Sequence, residues 1–136
     1  MLEERHMKRE SPSVDVWLRE AKAAPGAENC GMYLTHNGTV RRTAKAKVRL
    51  GAENTAPVVG MRFGYDREKT AAAVEKARSM EGIYYVRVWL NEGELAPGDD
   101  IMFVLIGGDI RPHVVDALQA LVGTLKNECV IEEEIF

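Results

Sequence analysis

The chain has 136 residues, of which 46% are hydrophobic and 29% charged, the size and make-up of one ordinary globular domain. Its formal net charge of -3 excludes whole-chain attraction to nucleic acid, which needs a basic surface to neutralise phosphate. No apolar run approaches the roughly 20 residues that span a bilayer, and the charged first twelve residues lack the apolar stretch of a signal peptide, so the expected compartment is the cytoplasm.

Residues 1–12 read as a flexible lead-in of mixed charge, and 13–136 as a single domain. From Ser13 to Ala24 a helix is expected, with Ser13 as its N-cap and Val14, Trp17, Leu18 and Ala21 on one face. Gly31 to Arg41 looks extended and holds an Asn37-Gly38 turn signal, since both residues tolerate positive φ. Lys45 to Leu50 alternates basic with small or apolar residues, the pattern of a half-exposed strand. Val58 to Tyr65 follows as a strand, and Asp66 caps a helix ending at Gly82.

Ile83 to Leu90 is apolar, aromatic and β-branched, hence a central strand. Asn91 to Asp100, with Gly93, Pro97 and Gly98, reads as a turn into a strand over Ile101 to Ile106, which Gly107-Gly108 breaks. Pro112 suits the first turn of a helix that reaches Lys126 and buries Val114, Leu118, Leu121 and Leu125. A short strand from Cys129 to Ile135 ends the order. Interspersed helices and strands of this kind imply an α+β layer fold rather than a doubly wound parallel sheet.

Chemistry-bearing residues are few. Cys30 and Cys129 fit no metal spacing and read as reduced thiols ahead of a disulfide. The basic run from Arg41 to Arg49 could attract an anion, but lysines on a solvated strand edge explain it as well or better. Arg41 stands apart, because it follows Gly38-Thr39-Val40 at a point from which a side chain can reach a cleft. Arg111 sits where a cation opposes the helix dipole, which favours an anion-binding role, and His113 is near enough to share that site. Lys126, at a helix end, either complements the dipole or serves as acid, base or amine nucleophile. His36, His113 and His6 form no ligand spacing and read first as surface or polar-boundary histidines. The chain has no phosphate-binding glycine fingerprint, zinc signature or serine-nucleophile elbow.

In order and spacing, three segments resemble the large, catalytic subunit of molybdopterin synthase. They are Gly38-Thr39-Val40-Arg41, the turn Gly93-Glu94-Leu95-Ala96-Pro97-Gly98-Asp99, and the stretch from Gly107 through the helix to Leu125-Lys126. The resemblance covers about Asn29 to Glu134. It implies an α/β hammerhead-like domain with a mixed, largely antiparallel sheet and helices packed on it. It also implies a homodimer whose subunits each bind a small ubiquitin-like sulfur-carrier subunit, making a heterotetramer. In that family the carrier's C-terminal Gly-Gly thiocarboxylate gives sulfur to cyclic pyranopterin monophosphate, forming molybdopterin, and neither metal nor organic cofactor is needed.

By position, the resemblance gives Lys126 the catalytic role and makes Arg41 and Arg111 ligands of phosphate or carboxylate. His113 would stand in for a lost family histidine, since Ile110 occupies the place before Arg111. Leu90-Asn91 replaces an earlier His-Arg pair, and a second family lysine falls at or beside Glu133, where an anion would weaken binding of an anionic substrate. The sequence therefore supports an active sulfurtransferase, with a catalytically impaired carrier-binding homologue as the alternative.

Overall fold

The structure is a computed structural model that describes residues 8–53 and 55–136. Its strands form two three-stranded sheets, and every pairing in them is antiparallel. The α+β expectation holds, with two small sheets in place of a single mixed one.

The first sheet is ordered β1 (Met32–Thr39), β5 (Asp100–Gly108), β3 (Ile83–Leu90). β5 is its central strand and is buried on both faces, which is why its sequence is a continuous apolar run instead of an alternation. Met102, Val104 and Ile106 point to the main core, where α3 (Arg67–Arg78) and α4 (Arg111–Thr124) cover the sheet. Phe103 and Leu105 point the other way, into a second cluster with Trp89 and with Trp17 and Ala21 of α1 (Val14–Lys22). The ring of Phe103 lies 6.4 Å from that of Trp17 and 5.8 Å from that of Trp89, so one aromatic cluster pins α1 to the sheet. As expected, the hydroxyl of Ser13 caps α1 through the Val16 N–H, and the Asp66 carboxylate caps α3 through the Lys69 N–H.

The second sheet is ordered β4 (Gly93–Leu95), β2 (Gly60–Tyr65), β6 (Val130–Ile135). β4 lies inside the segment expected to be only a turn. Between β1 and β2 the chain forms α2 (Lys45–Leu50), where a strand was expected. Lys, Ala, Arg and Leu are good helix formers. Gly51, at φ 67, ends α2 with its N–H on the carbonyls of Ala46 and Lys47.

Two further expectations fail for tertiary reasons. Asn37-Gly38 is not a turn: β1 runs through it because β5 supplies partners as far as Asp100, with a bulge between Gly38 and Thr39. The Asn37 amide donates across the sheet to the Met102 carbonyl and to Asp100, as well as to the adjacent Gly38 carbonyl. Nor does Gly107-Gly108 break β5. Both glycines stay in the strand because a Cβ on Gly107 would strike the Tyr33 ring, 2.6 Å away, and one on Gly108 the Gly82 carbonyl, also 2.6 Å away.

The lead-in was expected to be flexible as far as Pro12, yet from Lys8 onward it is hydrogen-bonded to the body, while Met1 to Met7 lie outside the described residues. Buried Asn91 accepts the Arg9 N–H at 2.7 Å and donates to the Asp100 carbonyl at 2.8 Å. The Arg9 guanidinium reaches the Leu90 carbonyl and stacks over Trp89. Both cysteines are free thiols, and burial raises the pKa of Cys129. No helix among the described residues is long and apolar enough to cross a membrane.

Candidate functional site

Arg41 is positioned by its neighbour. Val40 is buried, donates its N–H to the Asp99 carbonyl and accepts the Gly98 N–H, so the chain leaving β1 is fixed where Arg41 projects. Lys126 comes from a part of the chain distant in sequence. It belongs to a π-helical turn, Leu125–Cys129, that follows α4 and is anchored by buried Leu125 and Cys129. Such wide turns recur at functional sites because they re-aim a side chain within a helix.

Arg41 and Lys126 meet in one concave region with two adjoining lobes. A cavity of about 170 Å³ is lined by Arg41, Lys45, Arg49, Lys126, Glu132 and Glu134, among others. Beside it, a cavity of about 430 Å³ is lined by His36, Thr39, Arg41, Arg49, Met102 and Lys126, among others. The Lys126 ammonium donates to Glu132 Oε2 at 2.7 Å, with the two side chains 34% and 15% exposed. Glu134 Oε2 accepts the backbone N–H of Lys45 at 2.9 Å, tying β6 to the start of α2. Burial first, and then the Lys126 charge, lowers the pKa of His36, leaving a neutral imidazole at pH 7.

Strand alternation separates the three glutamates of β6. Glu132 and Glu134 line the Lys126 region, whereas Glu133 faces the opposite side of the sheet. There it accepts from Arg62 at 2.9 Å and lines a different cavity. The carboxylate beside Lys126 is therefore Glu132, and the concern that sequence position attached to Glu133 moves by one residue.

Arg111 and His113 do not join this group within the chain. They occupy the first turn of α4, whose 14 residues put about 20 Å between that end and Lys126. Arg111 is exposed. His113 Nδ1 lies 2.8 Å from Asp109 Oδ1, and Nε2 lies 3.8 Å from Glu81. The Asp109 hydrogen bond raises the pKa of His113, and the same bond lowers that of Asp109. Asp109 also accepts the Ile110 N–H, so its negative charge offsets the unfavourable placement of Arg111 against the helix dipole.

Sequence reasoning missed His36, Lys45, Arg49, Glu132 and Glu134. Lys45 and Arg49 carried two signals: they belong to the basic run that was set aside as a solvated edge, and they are four apart, so a helical reading would have put them on one face. Among the described residues, no group of three or more His, Cys, Asp or Glu could hold a metal.

The family model described as MoaE protein matches residues 8–128. The chain belongs to the MoaE family. Its fold is also that of solved MoaE structures. It is 20% identical to the molybdopterin biosynthesis MoaE protein from Burkholderia ambifaria, with 93% of this chain and 82% of that one covered at a TM-score of 0.66. Against the molybdopterin synthase from Staphylococcus aureus the values are 15%, 80%, 77% and 0.65. A complex of subunits 1 and 2 of the molybdopterin-converting factor from Helicobacter pylori gives 15%, 89%, 74% and 0.63. At these identities the structural likeness is one of fold. No curated protein sequence matches the chain.

Proposed function

We propose that this MoaE chain works in molybdenum cofactor biosynthesis as the large subunit of a molybdopterin synthase. It takes sulfur from the C-terminal Gly-Gly thiocarboxylate of a small ubiquitin-like carrier subunit and passes it to cyclic pyranopterin monophosphate. The observation that carries this reading is the meeting of Lys126 and Arg41 in one cavity of a chain from this family. The Helicobacter complex of the two converting-factor subunits supports a small carrier partner.

In this reading Lys126 does the acid/base or covalent work at the thiocarboxylate, and Arg41 holds a substrate anion by charge-assisted hydrogen bonds. Arg111 and His113 complete the site from a second protomer, since their own α4 separates them from Lys126. The assembly is a homodimer carrying two carriers, acts in the cytoplasm and needs neither metal nor organic cofactor.

The test is to mix the protein with thiocarboxylated carrier and cyclic pyranopterin monophosphate and to measure molybdopterin. Product is expected from the wild type, and Lys126→Ala should reduce it by at least about a hundredfold, the scale of a lost acid–base group. A second reading, a carrier-binding homologue with suppressed chemistry, draws on the Glu132 carboxylate held against Lys126. Carrier binding without product would favour it, and failure to bind carrier would remove both readings.

A further inference from the structure

The two lobes around Lys126 differ in charge. The larger brings Arg41, Arg49 and Lys126 together with the neutral His36, and no carboxylate lines it. The smaller adds Lys45 and both pocket carboxylates, Glu132 and Glu134. Lys126, Arg41 and Arg49 line both lobes, so all three cations stand at the junction, and the lobes differ in that only the smaller is walled by carboxylates. Three cations converging on a concave surface repel one another unless an anion sits among them. Among the described residues neither Arg41 nor Arg49 has a carboxylate partner. Arg41 donates only to the Thr43 carbonyl, which leaves most of its guanidinium free.

The carboxylates are half used. Glu132 spends Oε2 on Lys126 and Glu134 spends Oε2 on the Lys45 N–H, and Oε1 of each has no hydrogen-bond partner among the described residues. A carboxylate oxygen at a pocket wall accepts hydrogen bonds and repels anions. It therefore suits the donor edge of a heterocycle that carries an amino group beside a ring N–H.

We propose that the pocket reads a two-ended ligand, with Arg49 and Arg41 holding its phosphate in the larger lobe and Glu134, helped by Glu132, reading the amino-pyrimidinone donor edge of its ring in the smaller one. The inference rests on the synthase reading and deepens it, by naming residues for both ends of a phosphorylated pterin. The reacting carbons, which lie between those ends, then fall beside Lys126. The basic helix α2 becomes a specificity element, because it contributes Arg49 to the phosphate end and its Lys45 N–H orients Glu134. The two inward glutamates of β6 become ring-reading groups instead of defects.

Guanosine monophosphate and inosine monophosphate probe this directly, because they share phosphate and ring system and differ only in the exocyclic amino group. Calorimetry with the full chain should show the guanosine nucleotide binding tighter, by on the order of tenfold for one charge-assisted hydrogen bond. Glu134→Gln should collapse that ratio, because the amide keeps the shape but loses the charge that the exocyclic amino group pairs with. The guanosine nucleotide then loses more affinity than the inosine nucleotide, which offers only its ring N–H. Arg49→Ala should weaken both nucleotides alike, by about tenfold or more.

His36 supplies a second readout. The charges around it are Arg41, Arg49 and Lys126 in its own lobe and Lys45, Glu132 and Glu134 across the junction. A phosphate among those cations should raise its imidazole pKa, followed by NMR. Equal affinity for the two nucleotides, a preference that survives Glu134→Gln, or no binding of either would overturn the proposal. Molybdopterin formation without nucleotide discrimination would remove this inference and leave the synthase function standing. Discrimination without molybdopterin formation would do the reverse.

Discussion

At the scale of residues, the alternation of β6 decides which glutamate matters. Glu132 holds the Lys126 ammonium at 2.7 Å, while Glu133 pairs with Arg62 on the other side of the sheet. A lysine introduced at Glu133 would therefore not enter the pocket, and Glu133→Lys should leave molybdopterin formation within about twofold of wild type, as befits an exposed ion pair. Glu132→Gln loosens the tether that aims Lys126 and should lower turnover by about tenfold, because small misplacements of a reacting group are costly. Steady-state rates of the two variants, measured side by side, check the assignment. The reverse order would return the role to Glu133.

His113 makes a different residue-level prediction. Its pKa is raised above the ordinary 6.5 by Asp109, so its share of stability is complete below 6.5 and is lost as pH rises through the raised value. Asp109 is lowered from 3.8, so its share is present above 3.8 and is lost as pH falls through the lowered value. Both shares are present between those limits. Thermal unfolding should show His113→Ala lowering Tm more at about pH 5.5 than at about pH 9. An equal loss at both values would mean that packing, not the charge pair, stabilises this corner.

At the scale of elements, legibility followed how local the determinant was. β3 was read with its true bounds because seven of its eight residues, all but Arg87, are β-branched, aromatic or apolar and leave little alternative. α2 was misread because a basic–small alternation has the period of a strand and also sets Lys45 and Arg49 four apart on a helix, so composition alone could not choose. The strand through Gly107-Gly108 was misread because the need for glycine there comes from Tyr33, Gly82 and Val114, which are distant in sequence or beyond the expected break. The pocket followed the same rule: Arg41 and Lys126 were marked by motif position, whereas His36, Arg49 and the two inward glutamates join them only when β1, α2 and β6 come together beside the turn that carries Lys126.

The contrast among glycines can be measured. Gly108→Ala puts a methyl 2.6 Å from the Gly82 carbonyl and 2.7 Å from Val114, and should cost about 2–3 kcal/mol in urea unfolding. Gly123→Ala meets nothing within 4 Å in the last turn of α4 and should stabilise by about 0.5–1 kcal/mol. Equal and small effects would mean that β5 can shift to make room.

At the scale of the whole molecule, one chain supplies two partial surfaces. Lys126, Arg41 and Arg49 gather at one end of α4, and Arg111 lies about 20 Å away at the other. If both belong to one site, a two-fold dimer has to bring Arg111 of one protomer to Lys126 of its partner. Symmetry then makes two equivalent composite sites. Mixing inactive Lys126→Ala with inactive Arg111→Ala protein under conditions of subunit exchange should restore activity. Half of the dimers would be mixed and each would carry one intact site, so recovery should approach about a quarter of wild type. Each variant alone should still bind carrier, which separates loss of the composite site from loss of folding. If the mixture stays inactive although exchange is complete, Arg111 works in its own chain's surface or not at all. The site would then consist of Lys126, the two remaining arginines and the carboxylates of β6.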